Sequence, residues 1–147
     1  MGSSFIDYRG RGFWTRDAKI EIWLYLLCTE INHADDVPDW LLYVCEHWHR
    51  QATVGFIGCV SPSLDQHLDN DQRRVAQLLA LSDRARRRLM AYSPAIPKDV
   101  LNSFGTGGSG SEFPHDVEPE VFLPVADAFT ALLRGEITWD AATSPVL

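Results

Sequence analysis

The apolar run that begins at Ile20 is the feature that most constrains how this chain can fold. At 100° per residue, one helical face carries five large apolar side chains: Ile20, Trp23, Leu24, Leu27 and Ile31. The opposite face carries three more: Ile22, Tyr25 and Leu26. A helix that is apolar on both sides needs neighbours on both sides, so it normally lies at the centre of its fold. We therefore predict a core helix that begins with Thr15 as N-cap and ends at Asn32.

The rest of the sequence predicts further helices around this one. Pro38 stands near the start of a second amphipathic segment, and the Asp69-Asn70 pair precedes a long helix that ends near Ala91. Shorter helical segments are expected in between and after, at 62–68 and 98–104. The last helix ends at Arg134, and we predict a restart at Pro124 because an interior proline loses a backbone hydrogen bond.

The lead from Tyr8 to Trp14 alternates arginine with glycine and shows no convincing strand pattern. We expect Gly10 and Gly12 to permit a tight path that anchors the start of the core helix. Residues 105–111 predict a flexible glycine-serine loop within the same domain, because too little chain follows to form a second one. The predicted fold class is therefore all-α: a single domain, 1–147, built as an irregular bundle of five to six helices around a buried N-terminal helix.

Composition argues against several classes of function. A net charge of −7 over 147 residues argues against general binding to nucleic acids or anionic membranes, which requires clustered positive charge. Cys28, Cys45 and Cys59 form no metal-binding spacing, and we expect three reduced thiols in apolar surroundings. No apolar run approaches the roughly 20 residues of a membrane span. These features predict a cytoplasmic protein.

Two ExxH pairs are the best candidates for metal ligands: Glu30 with His33, and Glu46 with His49. Di-iron bundles use such pairs on two helices. The helical wheel, however, turns Glu46 outward and one turn from Arg50, a spacing that favours a surface ion pair. A small metal-dependent enzyme built on these pairs remains the alternative, and we predict no metal site.

The sequence contains no catalytic motif in the structural context that the motif requires. Residues 105–110 match GxGxxG, but a helix precedes them, whereas the dinucleotide fingerprint requires a strand. The sequence contains no GxSxG motif, the strand-to-helix turn that presents a catalytic serine in α/β-hydrolases. We therefore predict no catalytic residue and no cofactor, and a protein that is not an enzyme.

Carboxylates concentrate in two short segments. The first surrounds the turn after the core helix and contains Glu30, Asp35, Asp36 and Asp39. The second follows the glycine loop and contains Glu112, Asp116, Glu118 and Glu120. Acidic loops with aromatic residues nearby suit a surface that covers a basic partner, so these eight residues are the predicted binding site.

A basic stripe on the long helix offers a different interface. Arg73, Arg84, Arg87 and Arg88 are expected to project away from the apolar side of that helix. They suit an adaptor that binds an acidic protein or nucleic acid, a solvated helix back, or an internal ion-pair network. This alternative stays open at the level of sequence.

The opening residues resemble a known class of small proteins. Tyr8-Arg9-Gly10-Arg11-Gly12-Phe13-Trp14, followed by Asp17 and the run from Ile22 to Leu27, is similar to the start of small all-helical bacterial immunity proteins. Such proteins are encoded beside contact-dependent growth-inhibition or other polymorphic toxins. The resemblance implies a cytoplasmic inhibitor that binds one cognate protein toxin, often a basic nuclease. We expect no membrane partner, the net charge argues against a nucleic-acid partner, and the oligomeric state is left open.

Overall fold

The computed structural model of the protein describes residues 2–147 and contains a hairpin, six α-helices and one 3-10 helix. Met1 lies outside the described residues. The elements in order are β1 (Ser3–Tyr8), β2 (Arg11–Arg16), α1 (Asp17–His33), α2 (Asp39–Thr53), α3 (Leu64–Leu68), α4 (Gln72–Met90), α5 (Lys98–Ser103), the 3-10 helix (Pro119–Phe122) and α6 (Leu123–Leu133). The chain is 53% helical, and no helix within residues 2–147 is long and apolar enough to cross a membrane.

The prediction of an all-α fold is wrong, because residues 3–16 form an antiparallel hairpin. Ser4, Ile6 and Tyr8 alternate inward along β1, and Ile6 pairs with Phe13 of β2. The two turn residues, Arg9 and Gly10, both have positive φ, +53° and +76°, as a two-residue type I′ hairpin turn requires. The fold is therefore mixed α/β, although its six α-helices match the expected number.

Thr15 is also not the N-cap of the core helix, because it belongs to β2 and its side chain is buried. Helix α1 begins at Asp17, whose carboxylate lies in the first turn, where the helix dipole favours an anion.

The C-terminal segment covers the open edge of β2. Trp139 accepts a hydrogen bond from the N–H of Gly12 at 3.0 Å, and the N–H of Leu147 donates to the carbonyl of Trp14 at 2.8 Å. The indole of Trp14 donates to the carbonyl of Ala141 at 2.8 Å. The unpaired groups of the edge strand are thereby satisfied, which protects it from pairing with another chain.

Helix α1 lies at the centre of the fold, as predicted. Its apolar side chains from Ile20 to Ile31 are buried except Tyr25, and helices α2, α4 and α6 all pack against it. Trp23 of α1 and Trp48 of α2 both meet the ring of Phe129 on α6, each with centroids 6.1 Å apart in an edge-to-face arrangement. These large rings join three helices in one core.

The C-terminal helix restarts where the sequence predicts. Pro124 stands in the first turn of α6, and the 3-10 helix before it replaces a continuous α-helix through the proline. Within this 3-10 helix Phe122 is buried and Val121 is 42% exposed, so the tighter turn directs only one of the two side chains into the core.

Candidate functional site

The acidic turn between α1 and α2 continues onto the outward face of α2. Asp35 and Asp36 are exposed in the turn, and Asp39 is the first residue of the helix. Further exposed positions follow at helical spacing, and two of them are apolar: Leu42 is 51% exposed and Tyr43 is 63% exposed. We call this surface the α2 acidic face; it consists of Asp35, Asp36, Asp39, Leu42, Tyr43 and Glu46.

Glu30 is separated from that face because its side chain is buried. Its carboxylate accepts a hydrogen bond from Nε of Arg88, and Nη2 of Arg88 lies 3.3 Å from Nδ1 of His33. The charge of Glu30 is thus neutralised inside the protein, so this residue offers little surface to a partner. Arg88, expected on the solvent side of α4, ties α4 to the end of α1.

The second acidic segment is divided between surface and structural roles. Glu112, Glu118 and Glu120 are exposed. Asp116 instead accepts a hydrogen bond from the backbone N–H of Lys98 at 2.9 Å and so caps the start of α5. Three of the four carboxylates in this segment are therefore available to solvent without an internal partner within residues 2–147.

The glycine loop that precedes this segment is attached to the end of α2. The N–H of Gly107 donates to the carbonyl of Ala52 at 2.9 Å, and Thr106 is buried. This attachment brings Ser111 near Glu21 in the second turn of α1, and both residues line one cavity. Asp35 follows the other end of α1, about 20 Å away at 1.5 Å per residue. The acidic segments therefore begin near opposite ends of the core helix.

The residues of the two ExxH pairs do not converge. Glu46 forms the expected ion pair with Arg50 at 3.7 Å, and both side chains are largely exposed. Glu30 and His33 are engaged with Arg88. Within residues 2–147 no three histidine, cysteine, aspartate or glutamate side chains are grouped so as to hold a metal ion.

Much of the positive charge on α4 is balanced by carboxylates of the same chain. Arg87 pairs with Asp83 at 3.0 Å and Arg86 pairs with Asp127 at 2.9 Å. In the described part of the chain, Arg73 and Arg84 have no carboxylate within 4.0 Å. These two side chains are what remains of the predicted arginine stripe as an available basic surface.

A histidine pair lies just beneath the α2 acidic face. Nδ1 of His47 and Nε2 of His67 are 2.8 Å apart, and the ring of Tyr43 meets that of His67 edge-on at 5.8 Å. Burial, and then the charges of His47 and Arg74, lower the pKa of His67 to about 4. Burial and the neighbouring Arg50 also lower the pKa of His47. Both rings are therefore neutral at pH 7, with one nitrogen donating and the other accepting.

A cavity of about 250 Å³ lies beside the first two turns of α1; we call it the Glu21 cavity. Asp17 and Glu21 both line it, one helical turn apart. The Asp17 carboxylate accepts hydrogen bonds from the hydroxyl of Ser4 at 2.6 Å and the N–H of Gly58 at 2.8 Å. Glu21 is only 4% exposed, its carboxylate opens into the cavity, and no group in residues 2–147 donates a hydrogen bond to it. Burial, and then the charge of Asp17, raise the pKa of Glu21 to about 7.

The three cysteines are not equivalent. Cys28 and Cys45 are buried, and Sγ of Cys28 donates to the carbonyl of Cys45 at 3.3 Å. Hydrogen bonding to Cys45 and burial raise the pKa of Cys28 above its usual range. Cys59 is exposed, so its expected apolar surrounding is wrong. The linker that carries it lies at the surface from Gly55 to Cys59, with Ile57 81% exposed, and returns to the core at Val60.

Sequence reasoning missed the histidine pair and the Glu21 cavity. His47 and His67 are brought together by the packing of α3 on α2, which no local pattern reports. Glu21 did carry a signal, because a glutamate in the second turn of a helix that is apolar on two faces has little solvent-facing surface to occupy. Such a residue is a candidate for a buried carboxyl.

Comparison with known proteins assigns no relative: no family model, no curated protein and no solved structure matches this chain.

Proposed function

We propose that this protein is a cytoplasmic immunity protein that binds one cognate bacterial toxin through the α2 acidic face. One observation carries the proposal: Tyr43 and Leu42 stand exposed on a helix face that also carries Asp39 and the Glu46–Arg50 ion pair and continues into the acidic turn. A large apolar side chain ringed by charge is how a protein-binding surface presents its anchor residues. The toxin that fits is basic, and a nuclease with a cationic active site has that charge.

The size and charge of the chain support the same reading. A net charge of −7 repels free nucleic acid and accelerates encounter with a basic protein. The edge of the hairpin is covered by the C-terminal segment, so β-strand addition at β2 is not the mode of binding. Binding of a basic protein by an exposed helix face is consistent with the negative net charge and with the covered strand edge.

Interaction with the product of the neighbouring gene tests the proposal. Co-expression should protect cells from that protein, and titration calorimetry should give a nanomolar dissociation constant. Because charge steers the encounter, the association rate should fall as ionic strength is raised. If the neighbouring product neither binds nor is neutralised, the proposal is wrong.

Variants distinguish the two acidic segments. Tyr43→Ala and the double variant Asp36→Asn/Asp39→Asn should each weaken binding at least tenfold, about 1.4 kcal/mol. Asp99→Asn, an exposed carboxylate on α5 outside both segments, serves as the matched control. If Glu118→Gln/Glu120→Gln weakens binding while the α2 variants do not, the second segment carries the interface instead.

A further inference from the structure

The Glu21 cavity holds a carboxyl group that has no hydrogen-bond partner among the described residues and whose oxygens remain accessible from the cavity. A carboxylate that is mostly buried, lacks a partner in the protein and opens into a cavity is available to a ligand that donates hydrogen bonds. Asp17 shows the contrast, because the hydroxyl of Ser4 and the backbone N–H of Gly58 both donate to its carboxylate. Glu21 faces the cavity with its lone pairs free.

The free polar atoms nearest Glu21 are its own carboxylate oxygens and the hydroxyl of Ser111, which can accept a hydrogen bond as well as donate one. A Cβ built on Gly107 would meet Oγ of Ser111 at 2.5 Å and Oε2 of Glu21 at 3.3 Å, so these two oxygens flank the same small space. Gly107 leaves that space open. The nearby N–H of Gly58 is already used by Asp17, and the guanidinium of Arg16 is exposed and donates to Ser3 at 3.3 Å. The group that complements this space donates several hydrogen bonds and carries positive charge.

The outer wall of the cavity is apolar. Phe56 is half-buried against the core, and Ile57 is 81% exposed at the rim. Both lie on the linker whose turns are set by Gly55 and Gly58, with φ of +87° and +71°. An alkyl chain fits along this wall while its charged end reaches Glu21.

A metal ion fits the cavity less well than an organic cation. Ca²⁺ takes six to eight oxygen ligands, whereas Glu21 is the single unsatisfied carboxylate among the described lining residues. An ammonium group needs only about three acceptors, and its charge is localised on one small nitrogen. A guanidinium is larger, and its planar fork calls for two well-placed oxygens on one carboxylate plus room for five donors.

We propose that the Glu21 cavity binds a primary alkylammonium group, with its nitrogen on Glu21 and Ser111 and its alkyl chain along Phe56 and Ile57. The ammonium comes either from a free small amine or from a lysine side chain of a bound protein. The inference is independent of the α2 acidic face and of the identity of any toxin.

The state of Glu21 makes the binding depend on pH. Alkylammonium ions keep their charge up to about pH 10, as lysine does, so the carboxyl group sets the response. Asp17 and Arg16 are the other charged groups that line the cavity. Affinity should rise about tenfold per pH unit below the pKa of Glu21 and level off above it.

The test is titration of the full chain with n-butylammonium chloride, followed by backbone NMR at pH 8. We expect a dissociation constant near 1 mM, with shifts concentrated at Phe56, Ile57, Gly107 and Ser111. Glu21→Gln should weaken binding at least tenfold, and Glu136→Gln, an exposed glutamate, should leave it unchanged. Sodium chloride and n-butanol supply the charge-only and chain-only controls and should produce no such shifts.

A second variant keeps the proposal falsifiable if Glu21→Gln alters the fold. Ser111→Ala is an exposed loop substitution and should weaken binding about threefold to tenfold without loss of structure. Equal binding by wild type and both variants, or shifts outside the cavity, would overturn the proposal.

A third ligand separates the two sources. Nα-acetyl-lysine methylamide carries the ammonium only on its side chain. If it binds as tightly as n-butylammonium, the site accepts lysines of other proteins; if only n-butylammonium binds, the site is for free amines.

Discussion

Nδ1 of His47 and Nε2 of His67 lie 2.8 Å apart, and this contact joins α2 to α3 beneath Tyr43. One ring donates and the other accepts, so the pair is complete when both rings are neutral. Protonation of both rings would place two donors and two like charges on the same contact. The pair therefore makes the packing of α3 sensitive to acid.

The first prediction is that His67 makes stability depend on pH. The folded pKa of about 4 lies below the unfolded value of 6.5, so the unfolded chain takes up a proton that the folded chain does not. Stability from this residue is complete above pH 6.5 and is lost as pH falls towards 4. Replacement by phenylalanine should flatten this part of the profile by up to about 3 kcal/mol, measured by urea unfolding between pH 4.5 and 7.5.

The exposed His115 provides the control for that measurement. His115→Ala should keep the wild-type dependence on pH, whatever its effect on absolute stability. The slope is the readout, because His67→Phe also removes the hydrogen bond to His47. A His67→Phe slope equal to that of wild type would contradict a depressed pKa.

The second prediction concerns Glu21 and has the opposite sign. Its folded pKa of about 7 lies above the reference value of 4.5, so the folded chain holds a proton that the unfolded chain releases. Stability is therefore greatest below pH 4.5 and decreases as pH rises through 7. Between pH 5 and pH 8, Glu21→Gln should gain about 2 kcal/mol relative to wild type, whereas Glu136→Gln should gain nothing. If the free energies of unfolding of wild type and Glu21→Gln change in parallel with pH, the raised pKa of Glu21 is refuted.

The third prediction is that Arg88 stabilises the fold more than its neighbour Arg87. Removal of Arg88 leaves the buried Glu30 carboxylate without its partner, whereas Arg87 pairs with Asp83 on the surface. Arg88→Met should lower the free energy of unfolding by about 2 kcal/mol and Arg87→Met by less than about 0.5 kcal/mol. Adding Glu30→Gln to Arg88→Met should recover part of the loss. Chemical denaturation of the four proteins checks this, and equal losses for both arginines would count against it.

The helices could be predicted from sequence because their signals are local. The apolar run in α1 and the proline at the start of α6 act within one or two turns, and both places match the structure. The hairpin was missed for a related reason. Inward Ser4 is polar and outward Phe5 is apolar, so β1 does not show the alternation of a half-buried strand. The turn was hidden too, because Arg9 stands where type I′ turns usually have asparagine.

The candidate sites could not be assembled from sequence because their partners are distant along the chain. Asp17 is satisfied by Gly58 and Glu30 by Arg88, and neither pairing leaves a trace in spacing. For the same reason Glu30 was grouped with the exposed carboxylates of the turn. Charge patterns predicted where acidic residues concentrate, and only packing decides which of them remain at the surface.

The fourth prediction concerns the hairpin turn. Gly10 has a φ of +76°, and a Cβ built there meets nothing, so only backbone strain opposes a side chain. Gly10→Ala should lower stability by about 1–2 kcal/mol, the usual penalty for an L-residue in the left-handed region. Gly10→Asn should lower it by less than half as much, because asparagine tolerates that region. Thermal unfolding of both variants tests the assignment, and equal effects would mean that the turn adopts another conformation.

The fifth prediction is that one thiol of three reacts in the native protein. Cys59 is exposed, whereas Cys28 and Cys45 are buried between α1 and α2. The hydrogen bond with Cys45, and then burial, raise the pKa of Cys28 and keep its thiol protonated, and the thiolate is the reactive form. The same hydrogen bond lowers the pKa of Cys45, so Cys45 is protected by its burial alone. Ellman's reagent should therefore release one equivalent from folded protein and three from protein in denaturant. Cys59→Ser should abolish the native reaction and keep the fold, because its side chain packs against nothing in the core. Rapid reaction of a second thiol in native buffer would show that α1 and α2 separate.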